Sequence, residues 1–128
     1  MSATIRFLCK RLNFFEKDEI EWNDHVIFSL YKKLNNLKNE NSALWNGNFG
    51  GSFIRLKNDN SKAATFLRSK YENKVLVIAN LSNQTIDVNI ENDLIKGFYT
   101  NVIENDNVEL GSKESFNLSA WGYIVFAN

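Results

Sequence analysis

Apolar positions along this chain change their period once, and the change divides it into two kinds of structure. Ile27, Leu30, Tyr31, Leu34 and Leu37 fall at i, i+3, i+4, i+7 and i+10, which places them on one stripe of an α-helix. The spacing predicts a helix over about residues 24–39, with Asn23 as N-cap and Asp24 in the first turn, where His25 also falls. Lys32, Lys33 and Lys38 sit in the later turns, where cations oppose the negative end of the helix dipole. Val26 and Phe28 widen the stripe beyond the arc of about 100° that a helix packed on one partner needs.

After Asn41 the period becomes two, and turn-forming residues recur at short intervals: Gly47, Gly50-Gly51, Asn58-Asp59-Asn60, Glu72-Asn73, Ser82-Asn83, Asn92-Asp93, Asn105-Asp106-Asn107 and Gly111-Ser112. Regular short strands between such breakers mark a β-sandwich or barrel. Strands are expected at 49–57, 63–70, 74–80, 84–90, 97–102, 107–110, 114–118 and 122–127. The third and the last are apolar on both faces, as centrally placed strands covered on both sides would be. Thr85 to Ile90 alternates apolar with polar, so one face of that strand should be wet. Asn73-Lys74 and Ser82-Asn83 are candidate hairpin turns, since Asn tolerates positive φ.

These patterns predict a mainly β fold, in which one N-terminal helix precedes an antiparallel Greek-key β-sandwich of about 7–8 strands. Residues 1–22 read as a loop or extended segment, 23–40 as the helix and 41–128 as the sandwich. Only Asn39 to Ser42 separates helix from strands, which requires the helix to dock on the sandwich or on what the sandwich touches.

Length and charge narrow the function. At 128 residues the chain fits one domain with an ordinary core and is too short for a catalytic barrel plus an appendage. Fifteen basic residues balance fifteen acidic ones, so no net field favours nucleic acid or an anionic membrane. No apolar run approaches the roughly 20 residues of a membrane span. Ile5 to Cys9, interrupted by Arg6, does not form the apolar core of a signal peptide, and localisation stays open. Cys9 and His25 are the single cysteine and histidine. They provide no intramolecular disulfide, no thiolate cluster and no paired-histidine metal site, so no cofactor is expected.

Certain blocks, taken in order, carry a family resemblance. They are Lys10-Arg11-Leu12-Asn13-Phe14-Phe15-Glu16-Lys17-Asp18, the helical Phe28-Ser29-Leu30-Tyr31-Lys32-Lys33-Leu34, and Asn39-Glu40-Asn41-Ser42-Ala43-Leu44-Trp45-Asn46-Gly47. Lys74 to Asn83 and Trp121-Gly122-Tyr123-Ile124-Val125-Phe126 follow. From about Lys10 to Asn128 the sequence resembles the C-terminal part of α-amylase-type family 13 glycoside hydrolases: the last barrel loop, the last barrel helix and the β-domain after it. Met1 to Cys9 matches no block of that family. The chain has no proline, and Glu19, Ser42, Ser119 and Ala120 stand where such proteins often carry one.

The resemblance implies a non-catalytic domain that stabilises the catalytic barrel of an enzyme acting on α-glucosidic bonds in starch or maltooligosaccharides. Glycoside hydrolysis needs two carboxylates about 5 to 9.5 Å apart across the scissile bond. In this family they come from barrel strands upstream of every block present here, so no catalytic residue is expected. Glu16, Asp18, Glu19 and Glu21 read either as a solvated loop or as a substrate-rim or calcium site. No Gly-x-Ser-x-Gly elbow occurs, and Gly47-Asn48-Phe49-Gly50-Gly51 lacks the lysine of a phosphate loop, which leaves it as a turn into a strand.

Aromatic residues remain as binding candidates, because sugars stack on exposed indole and phenol faces. Trp22, Trp45, Trp121, Tyr71, Tyr99 and Tyr123 are available. Trp121 and Tyr123, beside the last apolar strand, are expected in the core. Trp45 lies at the helix-to-sandwich junction and is the candidate for carbohydrate contact, the alternative role being a binding module for α-glucans. The expected partner is the catalytic barrel, with self-association through Ile27, Leu30, Tyr31, Leu34 and Leu37, or cover from Phe7 to Phe15, when the barrel is missing.

Overall fold

The computed structural model describes residues 24–128. One helix, α1 (Ile27–Glu40), precedes eight strands: β1 (Ser52–Arg55), β2 (Ala63–Lys70), β3 (Asn73–Asn80), β4 (Ile86–Glu91), β5 (Gly97–Asn101), β6 (Asn107–Leu110), β7 (Lys113–Leu118) and β8 (Tyr123–Ala127). They form a six-stranded sheet in the order β1-β2-β3-β8-β5-β6 and a two-stranded sheet of β4 and β7, every pairing antiparallel. The mainly β sandwich read from the periodicity is therefore the fold observed. β3 pairs with β8, β4 with β7 and β5 with β6, so three rungs nest inside one another and the middle rung lies in the second sheet. This is Greek-key winding.

The core between the sheets follows from the strand alternation. Leu67, Leu76, Ile78, Tyr99, Leu110 and Phe126 point inward from the large sheet, and Ile86, Val88, Ile90 and Leu118 from the small one. Asp87, Asn89 and Glu91 occupy the alternate positions of β4 and face water, as the polar phase of Thr85 to Ile90 required. A short stretch after Leu56 lies along the free edge of β4 through a bridge between Asn58 and Ile90. There Asp59 accepts hydrogen bonds from the Asn89 backbone N–H and its side-chain amide at 2.9 and 2.6 Å. These bonds favour the charged form and hold the Asp59 carboxyl below its ordinary value.

β3 and β8 are central and covered on both sides, as their two apolar faces predicted. Their outer side chains Val75, Val125 and Ala127 form a second cluster with Ala43, against which Leu34, Leu37 and Leu44 pack. The helix thus lies across one end of the large sheet. Lys33 ties it to the end of β5 by donating from Nζ to the Ile103 carbonyl oxygen at 2.7 Å. Asn41 stops it: its backbone N–H donates to Leu37 O, and its side chain accepts from Ala43 N–H and donates to Asn128 O.

Several local expectations differ from the structure. Helix α1 begins at Ile27, and the Ile27 N–H is met by Nδ1 of His25 at 3.1 Å, so the imidazole acts where an Asn side chain was expected. Asn23 lies outside the described residues. Asn73-Lys74 is not a turn: Asn73 opens β3, and the two-residue loop is Tyr71-Glu72, with Tyr71 at φ 52° in the left-handed region. Ser82-Asn83 does not close a hairpin either, because β4 leaves the large sheet to pair with β7. The first strand is shorter than 49–57, since Gly47–Phe49 forms a 3-10 turn. The glycines after it are required by close approach: a Cβ on Gly50 would stand 1.8 Å from the Trp45 carbonyl oxygen, and one on Gly51 2.6 Å from that of Ser69.

Candidate functional site

Acid–base and metal chemistry find no constellation among the described residues. No group of three or more His, Cys, Asp or Glu side chains there could hold a metal ion. The carboxylates lie on solvated strand faces and turns, where Asp93 pairs with Lys96 at 2.8 Å and Glu91 with Lys113 at 3.2 Å. No described helix is long and apolar enough to cross a membrane. Cys9, the acidic run Glu16 to Glu21, Trp22 and the aromatic segment Phe7 to Phe15 fall outside the described residues.

What the fold does present is exposed apolar surface, and three places bear on function. The first is the N-terminal half of α1. Leu34 and Leu37 are spent on the sheet, while Phe28 and Tyr31 are 68% and 56% exposed and Val26 and Ile27 are also open. The five-residue stripe predicted as one association face is therefore divided, because the sheet reaches only its C-terminal part.

The second place is the junction. Trp45 is 44% exposed and follows a 3-10 turn, Ser42–Leu44, that sets it beside the helix end. Its Nε1–H donates to the Asn39 carbonyl oxygen at 3.3 Å, and its own carbonyl accepts from Nη2 of Arg68 at 3.1 Å. The first bond ties the indole to the helix end, and the second ties the Trp45 backbone to the sheet. On the outer face of the large sheet, the rings of Phe53 and Phe66 lie 5.1 Å apart at a tilt of 32°.

The third lies at the opposite end of β8. Trp121 and Tyr123, expected in the core, are 64% and 44% exposed. Tyr123 shares the outer face of β8 with Val125 and Ala127, but α1 covers only the far end of that face. Trp121 occupies the third position of the turn Ser119 to Gly122, closed by a bond from Gly122 N–H to Ser119 O at 2.8 Å. Its φ is 58°. A positive φ at that position is the pattern of a type II turn, which ordinarily takes Gly or Asn there. Sequence reasoning missed this because apolar character near a strand end reads as core. The signal available was Gly122, which ends the alternation two residues before Ile124.

Comparison with known proteins agrees with this architecture. No curated protein matches the chain. Among solved structures, a noncanonic maltogenic α-amylase, AmyB, from Thermotoga neapolitana superposes with a TM-score of 0.72 at 18% identity, over 93% of this chain and 30% of that one. An Anoxybacillus α-amylase superposes with a TM-score of 0.65 at 19% identity, over 91% of this chain and 24% of that one. The chain thus spans less than a third of the length of either enzyme, and at such identities the likeness is one of fold. The sequence itself carries the family signature, since Phe53 to Val125 matches the C-terminal domain of maltogenic amylase. That match covers more than half of the chain, which belongs to the maltogenic amylase C-terminal domain family, a non-catalytic β-sandwich domain of amylase-like enzymes.

Proposed function

We propose that this domain docks on the catalytic barrel of an α-amylase-like glycoside hydrolase and stabilises it, the whole enzyme hydrolysing α-glucosidic bonds of starch or maltooligosaccharides. One observation carries the reading: α1 has two apolar ends, and its own domain uses only one. Leu34 and Leu37 anchor the helix on β3 and β8, whereas Val26, Ile27, Phe28 and Tyr31 meet nothing among the described residues that covers them. Apolar area of this kind gains about 25 cal/mol for each Å² removed from water, so it favours a partner surface. In the resembled enzymes this helix is the last of the barrel, and its free half supplies the seam. Without the barrel, the same half pairs two copies of the chain.

Trp45 fits this reading better than the alternative of an α-glucan platform. Its indole N–H is engaged within the junction, which leaves the ring less free to meet a sugar. The domain itself is expected to release no reducing sugar from starch.

A chimera tests the proposal. Residues 24–128 replace the corresponding segment of the Thermotoga neapolitana enzyme, and the thermal midpoint of the barrel is compared with that of the barrel alone. Docking raises the midpoint, and Phe28→Glu with Tyr31→Glu removes the gain. An unchanged midpoint in the chimera, or a gain that survives both substitutions, rejects it.

A further inference from the structure

Trp121 presents a problem of cost. A bulky L-residue in the left-handed region costs about 1–2 kcal/mol, and here the side chain gains little burial in return. The surrounding structure nevertheless holds it firmly. The Trp121 N–H donates to Ser82 O at 2.9 Å, and the turn carbonyl of Ser119 accepts from Nδ2 of Asn80 at 2.8 Å. Asn80, only 2% exposed, also donates to Gln84 O at 2.7 Å and accepts from the Ser82 N–H and hydroxyl at 3.0 and 2.7 Å. One buried amide therefore locks together the two loops that flank the indole.

The two loops that frame this surface carry no charged residue of their own. Leu81 to Thr85 and Ser119 to Tyr123 contain no ionisable group other than the Tyr123 phenol. The Ser82 hydroxyl donates to Oδ1 of Asn80 at 2.7 Å, which holds its loop against the turn that carries the indole. The cation that reaches the loop, Lys62, donates its ammonium to Oε1 of Gln84. A flat apolar ring on a rigid base, framed by loops without charged residues of their own, suits a ligand with an apolar face and hydroxyl edges.

We infer that Trp121, with Tyr123 beside it, forms a stacking site for a neutral oligosaccharide chain at the end of the sandwich away from α1. The inference is independent of the docking role. That role is tested at Phe28 and Tyr31, and either can fail while the other stands.

Maltoheptaose titrated into the ¹⁵N-labelled full chain tests it. Saturable amide shifts are expected in residues 81–85 and 119–123. Trp121→Gly should weaken the affinity by about tenfold or more while raising the thermal midpoint, since glycine accepts the backbone conformation without strain. That opposite pair of effects separates a binding residue from a structural one. Trp45→Ala should leave the affinity within about twofold. The proposal falls if no shift saturates by about 10 mM ligand, if the shifts centre on residues 44–51, or if Trp121→Gly binds like the parent.

Discussion

The side-chain amide of Asn80 donates to the Ser119 carbonyl oxygen at 2.8 Å, joining the end of β3 to the turn before β8 inside the sandwich. Every polar atom of that side chain is engaged, so its removal strands the partners of a buried group. Asn80→Ala is expected to cost about 2–3 kcal/mol, read from the urea midpoint. Asn80→Leu, which keeps the volume, should not recover it. A loss below about 0.5 kcal/mol would mean that water replaces the amide freely.

Tyr99 offers the converse case. Its ring packs against Phe126, but its hydroxyl is buried with no hydrogen-bond partner among the described residues, and burial raises the phenol above its ordinary pKa of 10.0. Tyr99→Phe should stabilise the domain by about 1 kcal/mol at neutral pH, because an unsatisfied polar atom disappears at nearly constant shape. The sign of the pH effect follows from linkage. A raised folded pKa gives stability that is complete below 10.0 and lost as pH rises through the folded value. The parent should therefore lose stability in alkali that the phenylalanine variant keeps, and parallel alkaline limbs would contradict the assignment.

Asp59 contributes on the acid side. Its carboxyl is lowered from 3.8 by the Asn89 amide and backbone, so its contribution is present above 3.8 and lost as pH falls through the folded value. NMR titration should place Asp59 below 3.8 in the native domain. Asp59→Asn should flatten the acid limb of the stability profile, and an unshifted Asp59 resonance would count against the contact.

Helix α1 should respond unevenly to truncation along its length. Leu37→Ala opens the contact with Val75, Val125 and Ala127 and is expected to cost about 2 kcal/mol. Phe28→Ala, at a site 68% exposed, should change stability by less than about 0.5 kcal/mol. Equal costs at both sites would show that the N-terminal half is already covered.

Much of this architecture was legible in the chain, because strand positions depend on information that is local. Val75 to Ala79 and Ile124 to Phe126 are apolar on both faces, and they are the central strands. Ile86, Val88 and Ile90 alternate with Asp87, Asn89 and Glu91, and only one face of β4 is wet. Partner choice is not local. Ser82-Asn83 looks like a hairpin turn, yet the next strand crosses to the other sheet. Nothing in residues 80–86 states that Leu118 lies opposite Ile86. Burial at Tyr123 failed for a related reason, since it depends on how far α1 extends over a sheet face, and Trp121 falls in the turn before β8. His25 as a cap was hidden by residue preference, which favours Asn, Asp, Ser and Thr over an imidazole.

The nested winding also sets an order of assembly. β8 emerges after the other seven described strands, yet it stands between β3 and β5 and joins β1-β2-β3 to β5-β6 in the large sheet. Until residues 123–127 emerge, the nascent chain holds two separate ribbons whose inner faces have no permanent cover. Closure of the large sheet therefore waits for β8 and pairs residues some fifty positions apart, as in Val75 with Ala127. A ribosome stalled before Tyr123 would carry a split domain, open to chaperones and proteases for as long as the pause lasts.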